Sequence, residues 1–172
     1  MLTVLGDDRP GLVDAISRVI SDHGGNWERS QMARLGGKFA GIVQVTVPDP
    51  GADELRAALL ALSADGALLV AVDQTDADPA TAEPPAPGHR FVLTLVGTDR
   101  PGLVHAVTAP LAALGASIEE FTTTTRNAPM SGGTLFEANA TVVLPPSIDI
   151  ASVRAQLEAL ADRLMVDVEF IG

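Results

Sequence analysis

The chain has 172 residues, enough for one larger domain or two small ones of about 80. Apolar residues make up 47% and aromatics only 3%, so any core is built from Val, Leu, Ile and Ala. A net charge of −11 leaves no basic stripe to track phosphates, and the absence of cysteine excludes disulfides and thiolate metal sites.

Leu2 to Leu5 reads as a first strand. Asp7 and Asp8 interrupt any apolar run near Met1, so no signal peptide is expected there. No apolar stretch approaches membrane length, and a soluble cytoplasmic protein without membrane contact is expected. The octapeptide Gly6-Asp7-Asp8-Arg9-Pro10-Gly11-Leu12-Val13 follows the strand. Asp8 stands where an N-cap is wanted, Pro10 where a helix's first turn tolerates a missing N–H, and Gly11 leaves the backbone bare. A ligand approaching such a corner would meet free N–H donors and the favourable end of the helix dipole.

Leu12, Ile16, Val19 and Ile20 then recur at helical spacing, predicting a helix from Pro10 to about His23, stopped by Gly24-Gly25. Asn26 to Arg34 reads as an edge strand and Gly36-Gly37 as a hairpin turn. Phe39, Gly41, Val43, Val45 and Val47 alternate with Ala40, Ile42, Gln44 and Thr46, the clearest period-two run in the chain. Leu55, Leu59 and Leu62 mark a second helix, with Asp53 and Glu54 near its N-terminus, and Leu68 to Val72 a further strand. The order is β-α-β-β-α-β. A Pro-rich linker without periodicity is expected over 76–89.

The second half repeats the order. Phe91 to Gly97 is a strand, followed by Gly97-Thr98-Asp99-Arg100-Pro101-Gly102-Leu103-Val104, which matches the first octapeptide at seven of eight positions, 91 residues on. Leu103, Val107, Leu111 and Leu114 form the helical stripe, with Pro110 expected to kink it. Ser117 to Thr125 is extended. Phe136, Ala138, Ala140 and Val142 alternate, Val153, Leu157 and Leu160 repeat the second helix, and Leu164 to Ile171 closes the chain. The segment from Asn127 to Gly133 is longer than its counterpart at Gly36-Gly37.

Two β-α-β-β-α-β copies predict an α+β protein with two ferredoxin-like sandwiches in tandem, at 1–75 and 90–172. Each leaves an exposed edge strand, two tandem copies can pair edge to edge inside one chain, and Thr122 to Thr125 is a candidate for that seam. A homo-oligomer is therefore expected, formed by chains or by repeats.

Little here looks like covalent chemistry. His23, His89 and His105 are far apart in sequence, and His105 occupies the position held by Asp14 in the first repeat. Ser131 lacks a Gly-x-Ser-x-Gly context, Gly132-Gly133 is not followed by Lys-Ser or Lys-Thr, and Glu119 and Glu120 are strand neighbours that point to opposite faces. No catalytic residue, metal site or cofactor is expected.

Tandem units that open with Gly-x-Asp-Arg-Pro-Gly-Leu-Val resemble paired ACT domains, regulatory modules that bind amino acids. Gly24-Gly25-Asn26, the run from Met32 to Phe39, and Ala128-Pro129-Met130-Ser131-Gly132-Gly133 before Leu135-Phe136 are similar to the glycine cleavage system transcriptional repressors. That resemblance implies transcriptional control through a protein partner such as a DNA-binding activator, with glycine or a similar amino acid as the signal. It also implies a ligand between the corner and the residue that opens the second strand of a unit. Those positions are Asp8, Arg9, Pro10, Gly11, Leu12 and Asn26, and again Asp99, Arg100, Pro101, Gly102, Leu103 and Ser117. The ligand carboxylate would take the helix N–H groups or Arg9 and Arg100, and its ammonium Asp8 or a strand carbonyl. If a side-chain amide is needed, Asn26 makes the first site the competent one. The alternative readings are a regulatory or oligomerisation module serving an amino-acid or one-carbon enzyme, and a structural dimer module without a ligand.

Overall fold

In the computed structural model, which describes residues 1–64, 66, 68–74, 88–128 and 133–171, the chain divides into two units, Met1–Thr81 and Ala82–Gly172. The first contains β1 (Leu2–Asp7), α1 (Leu12–Asp22), β2 (Asn26–Leu35), β3 (Lys38–Thr46), a single 3-10 turn (Asp49–Gly51), α2 (Ala52–Ala61) and β4 (Leu68–Val72). The second contains β5 (His89–Thr98), α3 (Leu103–Ala113), β6 (Ser117–Asn127), β7 (Thr134–Leu144), α4 (Ile150–Leu164) and β8 (Val166–Ile171). Both sheets are antiparallel, with orders β2-β3-β1-β4 and β6-β7-β5-β8. These are two ferredoxin-like α+β sandwiches in tandem. Most of the 76–89 linker expectation, and Pro129 to Gly132 of the longer second-half loop, lie outside the described residues.

Alternation explains how each unit forms. In β1, Leu2 and Val4 are buried while Thr3 and Leu5 are exposed. The buried set meets the apolar stripe of α1 (Leu12, Ile16 and Ile20), with Leu55 and Leu59 of α2 and Val43 of β3 completing the core. The second core repeats this with Leu93, Leu95, Leu103, Val107, Leu111, Val142, Val153 and Leu157. The hairpin at Gly36-Gly37 has φ of 58° and 78°, the doubly positive pair that twisted hairpins favour. Each second strand is bulged at the same place, between Trp27 and Arg29 and between Ile118 and Glu120. β6 lies at its sheet edge with every residue exposed.

Two expectations need correction. α1 starts at Leu12 and ends at Asp22, so Pro10 lies in the turn before the helix rather than in its first turn. Pro110 lies inside α3, as expected, and the helix runs on to Ala113. Leu164 is the last residue of α4, and the closing strand begins only at Val166 after Met165 turns the chain with φ of 53°.

Candidate functional site

Each octapeptide makes the bend from first strand to first helix. The Asp8 N–H donates to Gly37 O at 2.9 Å and the Asp99 N–H to Thr134 O at 2.8 Å, so each bend is tied to the end of the neighbouring hairpin. Gly11 and Gly102 then reverse the backbone with φ of 89° and 84°. Their carbonyls accept the first helical bonds, from the Ala15 and Ala106 N–H groups, both at 2.9 Å. These glycines are the N-caps, and no side chain caps either helix. Asp8 and Asp99 are therefore not the expected caps: they sit three residues too early, and the left-handed glycine turn intervenes. Among the described residues, no side chain caps the N–H groups of the first helical turn at either bend, and these have no intrahelical acceptor. A Cβ on Gly11 or Gly102 would meet nothing within 4 Å, so the positive φ and not a lack of room calls for glycine at both.

Charge distinguishes the two bends. The Asp8 carboxylate takes Arg34 Nη1 at 3.2 Å, and Asp7 is paired with Lys38, its cross-strand neighbour. In the second unit the positions of Arg34, Asp7 and Lys38 are held by Thr125, Thr98 and Leu135. Asp99 takes part in no ion pair or side-chain hydrogen bond among the described residues. Beside it lies an open depression of about 500 Å³, lined by Asp99, Arg100, Gly102, His105, Thr108 and Phe136, with Leu103 and Val104. Leu12 and Leu103 are buried core residues, 5% and 3% exposed, and of the two Leu103 also reaches the depression. Sequence reading missed Arg34, His105, Thr108 and Phe136. Comparing the repeats at their 91-residue offset would have exposed the Arg34/Thr125 difference.

Asn26 and Ser117 are not brought to the bend of their own unit. Asn26 pairs with Thr46 and Asp7 with Lys38, eight residues apart on β3, or roughly 27 Å at ~3.4 Å per residue. Ser117 pairs with Val143 and Thr98 with Leu135, the same separation. No single small amino acid spans that distance within a unit. The Asn26 side chain is instead committed locally, donating to Glu28 Oε1 at 2.7 Å. Thr46 Oγ1 donates to the same oxygen at 2.8 Å. These two bonds, Thr46 foremost, hold the Glu28 carboxyl below its ordinary range.

The Lys38 ammonium, by hydrogen bond and then by charge, likewise holds the Asp7 carboxyl below its ordinary value. A depressed folded value makes the pair's contribution present above the unfolded carboxyl value, about 3.9. That contribution is lost as pH falls through the lower folded value. Lys38→Met should move the Asp7 midpoint up toward the ordinary value in an NMR titration, while that of Glu28 stays in place. An unmoved Asp7 midpoint would contradict the pair.

Of the histidines, His23 Nδ1 lies 2.8 Å from Val19 O at the end of α1, and only His105 lies at a bend. Among the described residues, no three His, Asp or Glu side chains gather as a metal site would require, and no helix is long and apolar enough to cross a membrane.

The duplicated architecture agrees with comparisons to known proteins. The ACT domain family matches at residues 1–73 and again at 89–171. The glycine cleavage system transcriptional repressors of Escherichia coli (strain K12) and Shigella flexneri are each 30% identical over 164 residues, covering 95% of this chain and 84% of theirs. A crystal structure of a protein from Galdieria sulphuraria shares 32% identity with a TM-score of 0.81, over 98% of this chain and 94% of that one. With two matched ACT domains and near full-length similarity to those repressors, the chain belongs to the tandem ACT-domain family of glycine cleavage system transcriptional repressors.

Proposed function

We propose that the protein is an amino-acid-sensing regulator that controls transcription through a protein partner, with glycine or a similarly small amino acid as its signal. The observation that carries this is the pair of uncapped helix starts behind left-handed glycines, the second opening into the depression beside Asp99. A zwitterion suits that place. Its carboxylate takes the N–H groups of the first turn of α3, where the helix dipole also favours negative charge. Its ammonium takes Asp99. The second bend is the better candidate, because Asp8 is already engaged by Arg34. This reverses the preference for the first site that Asn26 suggested, since Asn26 lies far from its own bend.

The protein supplies no covalent step in this reading; ligand binding alone alters what it binds. The partner carries the DNA contact, because a chain with 22 acidic and 11 basic residues would be repelled by phosphates. The relatives are transcriptional repressors by name, which supports this direction. Asp99→Asn should weaken glycine binding about tenfold in calorimetry, the worth of a charge-assisted hydrogen bond of ~1.5 kcal/mol, with thermal stability of the free protein unchanged. Glycine affinity that survives this substitution would remove Asp99 from the site. In gel-shift experiments the protein alone should leave operator DNA unshifted and should alter the complex of a DNA-binding partner. Tight DNA binding by the isolated protein would overturn the reading.

A further inference from the structure

The two sheets share one architecture but differ in chemistry over the middle of the face turned away from the helices. On the first sheet, Leu5 of β1 pairs with Ala40 of β3 and Leu69 of β4, and Thr3 pairs with Ile42 and Ala71. Ala33 of β2 extends this row beside Ala40. All of these are exposed, Leu5 at 46%, Ile42 at 45% and Leu69 at 63%. The same register positions on the second sheet read differently. Val96 pairs with Glu137 and Asp167, Thr94 with Asn139 and Glu169, and Thr124 with Glu137. Polar side chains there are knitted together, with Thr94 Oγ1 donating to Asn139 Oδ1 at 3.0 Å and Arg126 paired with Glu137.

A duplicated fold supplies its own control. The topology and register do not require an apolar outer face, since the second sheet carries carboxylates at three of these positions. In a chain of net charge −11, the first face holds no acid among Leu5, Ala33, Ala40, Ile42, Leu69 and Ala71. The acids nearest this patch, Asp7 beyond Leu5 and Asp73 beyond Ala71, lie at its ends, and Asp7 is paired with Lys38. We infer that this face of the first unit is an interface with the same face of a second copy of the chain.

Charge selects the occupant. A surface with the chemistry of the second sheet would bury carboxylates against Leu5 and Leu69 with no counter-charge, which is costly. A second copy of the apolar face would desolvate no unpaired charge, and a two-fold axis would bring identical patches together. Elsewhere two copies of a −11 chain repel one another, so association is least opposed where acids are missing. Area sets the strength. Four strands about 4.8 Å apart and about five residues of 3.4 Å give roughly 300–400 Å² in plan per copy. Side-chain relief raises the total buried to about 800 Å², below the ~1,200 Å² of standard complexes. The dimer therefore belongs among weak, transient associations. It does not depend on the ligand reading.

Sedimentation velocity on the full chain from micromolar to several hundred micromolar tests this. The wild type should pass from monomer to dimer, and added salt should favour the dimer by screening the net charge. Ala40→Glu combined with Leu69→Asp places on the first sheet residues that the second already carries at the same register, and should leave a monomer throughout. Should that variant lose its circular dichroism spectrum, the milder Ile42→Asn, copying Asn139, should weaken association about tenfold. A wild type that stays monomeric at every concentration would overturn the inference, as would a dimer that survives in folded variants or is broken by salt. A monomeric wild type whose capture of a transcription factor is lost in the variants would assign the face to that partner and overturn self-pairing.

Discussion

Ile16→Ala should destabilise the first unit by about 2–5 kcal/mol, among the largest effects a single substitution can have here. Ile16 is completely buried, at 0% exposure, in the middle of the α1 stripe, flanked by Leu12 and Ile20 at 5% and 2%. Its side chain faces the core made by Leu2, Val4, Val43, Leu55 and Leu59. Truncation removes the transfer gain of the lost methyl and methylene groups and leaves a hole that two helices on a four-stranded sheet close only in part. The unit has no cysteine with which to staple itself and few aromatics to collapse inward. Trp27, the only tryptophan, packs against the same core and reports on this unit. Urea unfolding followed by its fluorescence should show the midpoint fall with an unchanged slope. In heating experiments each kcal/mol lost is worth about 4–8 °C for a unit of this size. A loss below about 1 kcal/mol would mean that α1 does not seat Ile16 in the core as described.

Gly97→Val should cost about 3 kcal/mol or more, beyond the ~1–3 kcal/mol usual for overpacking. Gly97 is buried in β5, between Phe136 of β7 and Val166 of β8. A Cβ there would overlap Val166 Cγ1 and stand 3.0 Å from Val166 Cβ. Rotation of Val166 could move the first atom but not the second, and a β-branched side chain has few rotamers to try. β8 would have to shift, and the bend at Asp99, two residues on, would shift with it. The reverse holds at Gly102, where a Cβ meets nothing within 4 Å and the cost begins with backbone strain, about 1–2 kcal/mol. Circular dichroism melts of Gly97→Val and Gly102→Val should therefore differ clearly, with Gly97→Val melting lower. Equal melts would contradict the close strand packing.

This contrast shows what the residues alone disclose. The repeated octapeptide reads as a corner, and its glycines as one set. In the structure Gly97 belongs to the strand and Gly102 to the turn, and they are glycine for different reasons: a neighbouring strand in one case, a positive φ in the other. Elements were legible because burial writes its period into the sequence. The alternation from Phe39 to Val47 and the stripes at Leu12-Ile16-Ile20 and Leu103-Val107-Leu111 were read with their faces correct. Helix starts were harder. Asp-x-Pro-Gly suits a carboxylate cap and a left-handed glycine cap equally, and only coordinates separate the two.

The site was partly legible. The bends lie where the motif put them, but Asn26 and Ser117 fall at the far end of each sheet, because an antiparallel neighbour reverses direction and sequence order hides which end a strand opens on. The Arg34–Asp8 pair and its absence in the second unit were hidden for a related reason. They join residues 26 apart across two strands, and register, not spacing, decides that they meet.

The most direct test of the sensing account is a thermal-shift panel of the amino acids against the wild type and Gly102→Val. At about 100 times its dissociation constant a ligand adds roughly 2.7 kcal/mol. The account predicts that glycine or another small amino acid raises the melting temperature of the second unit by about 10–20 °C, and that Gly102→Val, still folded, shows no rise. If no amino acid moves the wild type, or if the shift persists undiminished in Gly102→Val, the bend before α3 is not an amino-acid site.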